Sequence, residues 1–126
     1  MSRTGEAGRQ AERAARDYLV GQGYTVREVN FRTRLGEVDI IAEKDGCVVF
    51  VEVRARRAGG LAGPAESVTP RKLWRLVQAA LEYRANRPEL PPQVRFDFIG
   101  VELDGAGRPR RLDHIENILE APPGLI

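Results

Sequence analysis

One cysteine, one histidine and one tryptophan in 126 residues leave little material for several common chemistries. Cys47 stands alone inside a run of strand-forming residues, so neither a disulfide framework nor a cysteine-based zinc site is expected. His114 has no ligand partner at metal-site spacing, which favours a surface or structural role over a ligand role. No apolar run reaches the roughly 18 residues of a transmembrane helix, so no membrane association is expected. The segment Met1–Glu6 lacks the apolar core of a signal peptide, and a cytoplasmic location is the expectation. Lysine is scarce as well: Lys44 and Lys72 are the only two, and every other basic residue is arginine. Guanidinium forks match phosphate oxygens, but an arginine-rich genome gives the same bias. A net charge of +2 is weak grounds for a nucleic-acid partner.

What is present reads as one globular domain over residues 1–126, with 42% hydrophobic and 30% charged residues and a poorly ordered tail expected after residue 120. Residues 5 to about 22 form a helix with Ala11, Ala14, Ala15, Tyr18 and Leu19 along one stripe, closed by Gly21–Gln22–Gly23. Glu12 lies on or beside that stripe. It is either an edge residue paired with Arg13 or Arg16, or part of a site. Tyr24–Phe31 alternates as a strand, and Arg32–Leu35 is a basic connection out of it.

The centre of the chain is a hairpin. Two runs rich in Val, Ile and Phe flank Asp45–Gly46, a strong two-residue turn signal. Pairing Lys44 with Cys47 and counting outward places Asp39 opposite Glu52 and Glu37 opposite Arg54, all four on one face. The other face carries Val38, Ile40, Ala42, Val49, Val51 and Val53. Like charges set opposite one another destabilise a sheet unless something neutralises them, and a divalent cation would do so. Exposed edge carboxylates, and a salt bridge from Glu37 to Arg54, are the plainer readings.

Residues 57–68 form a glycine-rich loop without periodicity, expected to be mobile and close to the hairpin's open end. Thr69–Pro70 caps a second helix with Arg71, Lys72 and Arg75 in its first turns and a packing stripe of Leu73, Trp74, Leu76, Val77, Ala80 and Leu81. Val94–Glu102 is then a strand beside the 47–54 strand, parallel to it because a helix connects them. A short final strand near Arg111–Ile115 closes the chain.

Gly36–Glu37–Val38–Asp39, Phe50–Val51–Glu52–Val53–Arg54–Ala55–Arg56, Glu12 in the first helix and Arg95–Phe96–Asp97 together resemble the YraN-type bacterial proteins. These are similar to the restriction-endonuclease-like superfamily that includes archaeal Holliday-junction resolvases. The resemblance implies an α-β-β-β-α-β fold, an α/β domain with a central mixed sheet flanked by helices. It also implies a metal-dependent nuclease that hydrolyses phosphodiester bonds, with DNA the favoured partner and branched or damaged DNA the candidate structures. The alternative is a catalytically weak or inactive nucleic-acid-binding module on the same fold. Mapped onto this chain, the superfamily's acid, Asp and Glu-x-Lys pattern falls on Glu12, Asp39 and Glu52–Val53–Arg54. Asp39, Glu52, the Val53 carbonyl and Glu12 would hold Mg²⁺ or Mn²⁺. The departure is Arg54, which stays charged and is a poor general base. Lys72 is the candidate to serve in its place, or else a solvated lysine in a first turn. Arg32, Arg34, Arg56 and Arg57 are the candidate phosphate contacts, and resolvase-like relatives imply a homodimer.

Overall fold

The structure, a computed structural model, describes residues 5–57 and 68–120. Most of the glycine-rich loop and the tail after residue 120 lie outside the described residues. The elements are α1 (Glu6–Gly21), β1 (Thr25–Arg32), β2 (Glu37–Lys44), β3 (Cys47–Arg57), α2 (Pro70–Ala85), β4 (Gln93–Leu103), β5 (Pro109–Ile115) and a closing 3₁₀ turn at Ile118–Glu120. They build the expected α-β-β-β-α-β order with one further strand, consistent with a restriction-endonuclease-like fold.

The five strands lie in sequence order across one sheet. Neighbours are antiparallel except β3 and β4, which run parallel over their full lengths because α2 carries the chain back across the sheet. The turn joining β2 to β3 has positive φ at both Asp45 (52°) and Gly46 (75°), the geometry that suits the twist of a tight hairpin. Lys44 pairs with Cys47, as counted from the sequence.

Each face of the sheet is covered by one helix. On one side Ala11, Ala15 and Leu19 of α1 pack on Ile40, Ala42, Val49, Val51, Val53 and Ile99. On the other, Leu76, Ala79, Ala80 and Tyr83 of α2 pack on Val38, Ile41, Val48 and Phe50. The inner stripe of α2 keeps Leu76 and Ala80 as expected, with Leu73 packed against it, but Trp74 is 52% exposed and Leu81 58%, while Ala79 and Tyr83 are buried.

α2 approaches the sheet closely at one point. A Cβ on Gly36 would sit 1.8 Å from the Arg75 carbonyl oxygen, so the start of β2 lies directly against the helix backbone. Ala79 and Ala80 are buried in this interface together with Leu76. Tyr83 fills the wider end, edge-on to Phe31 and Phe50 at centroid distances of 5.1 and 6.1 Å.

Gly36→Ala is expected to cost about 3 kcal/mol by overpacking against a backbone that cannot yield. Gly105, where an added methyl would meet nothing within 4 Å, is the control. Gly105→Ala should change stability by less than about 0.5 kcal/mol in urea unfolding, and equal costs at the two positions would refute the close-approach explanation.

Candidate metal centre at the open end of the hairpin

The strand alternation that fills both cores fails at one point. Ile40 and Ala42 face α1, but Val38 joins Ile41 on the α2 side, so Val38 and Ile40 face opposite ways although two residues apart. Asp39 is the residue between them. The β2–β3 pairing runs from Lys44 with Cys47 to Ile40 with Val51 and stops before Asp39. The β1–β2 pairing likewise skips it, passing from Val29 with Ile40 to Phe31 with Val38. The skipped residue of β1, Asn30, takes a positive φ of 52°, a conformation asparagine tolerates better than most residues.

Where a backbone carbonyl would continue the ladder, the Asp39 carboxylate does so instead. Its Oδ2 accepts the Val53 N–H at 2.7 Å. Asp39 is 3% exposed, and this charge-assisted bond is part of what makes burial of its charge tolerable. The regular β2–β3 ladder ends one position short of the Asp39–Glu52 pair counted from the sequence. Asp39 lines a cavity of about 210 Å³ with Glu12, Arg13, Arg16, Asn30 and Ile40, bordered by α1.

Glu52 is 5% exposed, and its Oε2 lies 2.8 Å from an Arg54 terminal nitrogen. Glu37 meets Arg32 at 3.4 Å across β1 and β2. Lys72 is half-buried in the first turn of α2, its backbone N–H donating to the Thr69 hydroxyl at 3.2 Å. Arg34 and Arg57 are exposed and Arg56 is half-buried. Arg57 borders a separate recess with Asp104, at the far end of β3. The structure thus brings Glu12 to Asp39, and Glu52 to Arg54.

Among the described residues no three His, Cys, Asp or Glu side chains stand together as a metal-ligand cluster. Two buried carboxylates on adjacent strands nevertheless fit Mg²⁺ or Mn²⁺, hard cations that commonly take one or two protein carboxylates and complete their shell with water and phosphate. Asp39 and Glu52 would be those ligands, with Arg54 competing for Glu52.

Two features were not read from the sequence. Arg9, Arg13 and Arg16 share the face of α1 that borders the Asp39 cavity. Their i, i+4, i+7 spacing was visible, but only the fold shows that this face borders an acid. The second is a buried polar cluster on β4 and β5, with Asp97 beside Val51 in the β3–β4 register. Asp97 is fully buried and accepts from both arms of Arg95 (2.8–3.2 Å) and from the Asn117 N–H (3.1 Å). His114 Nε2 lies 2.7 Å from the same carboxylate, and its Nδ1 lies 2.9 Å from the Tyr18 hydroxyl. Arg95 also donates to the Tyr24 hydroxyl. His114 is therefore a structural residue. Burial alone would raise the Asp97 carboxyl, but the bonds from His114 and Arg95 outweigh it and hold its pKa below the ordinary range. Cys47, at the edge of the neighbouring recess, has its thiol pushed up chiefly by burial and is no activated nucleophile.

Comparison with known proteins places this geometry among relatives. A family model described as "Uncharacterised protein family UPF0102" matches residues 11–101, a span holding Glu12, Asp39, Glu52, Arg54 and Asp97. A UPF0102 protein of Syntrophomonas wolfei is 41% identical over 113 residues, 89% of this chain and 96% of its own. Those of Symbiobacterium thermophilum and Rhodopseudomonas palustris are 44% and 39% identical, covering 86% and 92% of this chain and 89% and 85% of their own.

Because the folded Asp97 pKa is depressed, its contribution to stability is present above the unfolded value near 4 and disappears as pH falls through the folded value. Asp97→Asn is expected to cost about 3 kcal/mol at neutral pH, as breaking one side of a buried ion pair does. Measured by urea unfolding across pH, the gap between wild type and variant should stay level down to about pH 4 and narrow only below it. A gap that closes between neutrality and pH ~5 would place the titration elsewhere.

Proposed function

The chain belongs to the uncharacterised family UPF0102, the YraN-type family that its hairpin resembles, and from that premise we propose that it is a Mg²⁺- or Mn²⁺-dependent nuclease acting on DNA. One observation carries the reading: two carboxylates, Asp39 and Glu52, are almost wholly buried where the central hairpin ladder stops. Ionisable groups rarely sit in such places for stability alone. An interrupted ladder is a cost that packing does not require, and it leaves the Asp39 carboxylate where a regular strand would have only backbone.

A divalent cation held there would polarise the phosphodiester and lower the pKa of an attacking water. The chain's own groups divide the remaining work. Glu12 shares the Asp39 cavity and is placed to accept a hydrogen bond from a water in it. Arg54 stays protonated at any working pH, so its part is to stabilise negative charge on phosphate and not to remove a proton. Arg13 and Arg16, on the rim of the cavity, are phosphate contacts alongside Arg32 and Arg34 at the β1–β2 turn. Lys72, half-buried in the first turn of α2, is the lysine that takes the place of the pattern's lysine.

The Glu52–Arg54 contact at 2.8 Å favours a second reading. An arginine that neutralises Glu52 within the protein occupies the place where the superfamily pattern has a lysine. A chain built that way serves as a nucleic-acid-binding module with weak or no catalysis.

The two readings separate in one set of assays. Asp39→Asn keeps an oxygen to accept the Val53 N–H, so it removes charge while sparing the fold; Glu52→Gln does the same on β3. On the nuclease reading, Mn²⁺-dependent cleavage of a panel of branched, flapped and duplex DNAs falls at least about 100-fold in both variants, with DNA binding retained. Wild-type protein that binds these DNAs but cleaves none of them, in either metal, leaves the binding-module reading standing alone.

A further inference from the structure

The sole tryptophan of the chain, Trp74, is 52% exposed on α2, on the side of the helix opposite Leu76, Ala79 and Tyr83. A ring of this size left in water calls for a reason, because tryptophan is among the more buried residue types on average. Its surroundings give one. From Pro70 to Leu81 the helix contains no acidic residue, and Arg71, Lys72 and Arg75 all fall within its first two turns. Arg71 precedes Trp74 by three positions, so the two are neighbours on the helix surface. The same end of α2 carries the partial positive charge of the helix dipole.

The location is fixed as firmly as the side chain is exposed. The contact between Gly36 and the Arg75 backbone pins these turns against the start of β2. The helix turn that carries Trp74 therefore lies against the segment Arg34–Gly36 that leads into β2, and Arg34 is exposed. Leu35 is itself 49% exposed. An aromatic face flanked by cations is the arrangement on which unpaired bases stack while their phosphates are held. A closed duplex offers no unstacked base to such a ring.

We infer that Trp74 is a stacking platform for an unpaired base, and that the substrate presents single-stranded nucleotides next to the site, as at a flap, fork or junction. The inference rests on the nucleic-acid reading above and narrows it, but it does not need the protein to cleave. Arg71 and Arg75 hold the flanking phosphates, and the flat, exposed ring accepts any base, so recognition is of structure and not of sequence. Exposed Leu81, seven residues along the same side of α2, is the feature that a rival occupant, a second copy of this chain, would use.

Because there is one tryptophan, its emission reports this position alone. Full-length protein titrated with a short oligodeoxythymidylate, without metal, is expected to show quenching of Trp74 emission that weakens as salt rises. A flapped duplex should quench as strongly, and a blunt duplex little. By anisotropy of labelled DNA, Trp74→Ala should lower the ratio of flapped to blunt affinity at least about fivefold, and Trp74→Phe should restore most of it. Far-UV dichroism of each variant checks that the helix is intact. Binding without any change in Trp74 emission, or a Trp74→Ala variant that leaves the ratio unchanged, overturns the inference. So does a wild-type dimer in sedimentation that Trp74→Ala converts to monomer, since the face is then a protein interface. Quenching by single strands in a protein that cleaves nothing sinks the nuclease reading and leaves this one intact.

Discussion

The bond from the Val53 N–H to the Asp39 carboxylate is the point on which the rest of the site depends. A strand pair that continued past Ile40 and Val51 would tie both backbones together and leave the side chains at positions 39 and 52 in regular alternation. By supplying the acceptor from a side chain, Asp39 lets the two strands part while the Val53 donor at the break keeps a partner. The break then propagates outward. Val38 turns to the α2 core, Asn30 adopts a left-handed conformation opposite, and a small cavity opens under α1. One residue therefore sets strand path, core assignment and site geometry together.

The two helices answer different demands on either side of that sheet. α1 meets it through Ala11, Ala15 and Leu19, leaving Glu12 half-buried at the margin. α2 approaches closely at one point, where Gly36 lies against its backbone. Counting apolar residues along α2 finds Leu76 and Ala80 but misses Ala79 and Tyr83, and it includes Trp74 and Leu81, which the structure leaves exposed.

Much of the fold was legible because its signals are local. Asp45–Gly46 fixes the hairpin and its register, Thr69–Pro70 fixes the start of α2, and a helix between two strands fixes the parallel pairing of β3 and β4. The candidate acids were legible as residues, since Asp39 and Glu52 stand out in otherwise apolar strands. Where the ladder between them stops was not. Alternation is a rule about regular ladders, and it fails at the residue whose side chain replaces the ladder. The Arg95–Asp97–His114 cluster was invisible for another reason. Its members come from β4 and β5, with Tyr18 and Tyr24 from the first two dozen residues, and no spacing in the chain foretells that α1 and the start of β1 will deliver two hydroxyls to one carboxylate's partners.

Buried charge is held differently on β4 than on β2 and β3. At Asp97 the carboxylate is met by Nε and one terminal nitrogen of Arg95, by His114 and by a backbone amide, and the bonds hold its pKa down against its burial. Nothing further is needed there, and an entering ligand would have to displace bonds already made. Around Asp39 the acids are distributed differently: Glu12 and Asp39 share a cavity bordered by Arg9, Arg13 and Arg16, and Glu52 lies against Arg54. Asp97 sits in an unbroken β3–β4 ladder, whereas Asp39 sits where the β2–β3 ladder stops and its own carboxylate takes the place of a backbone acceptor.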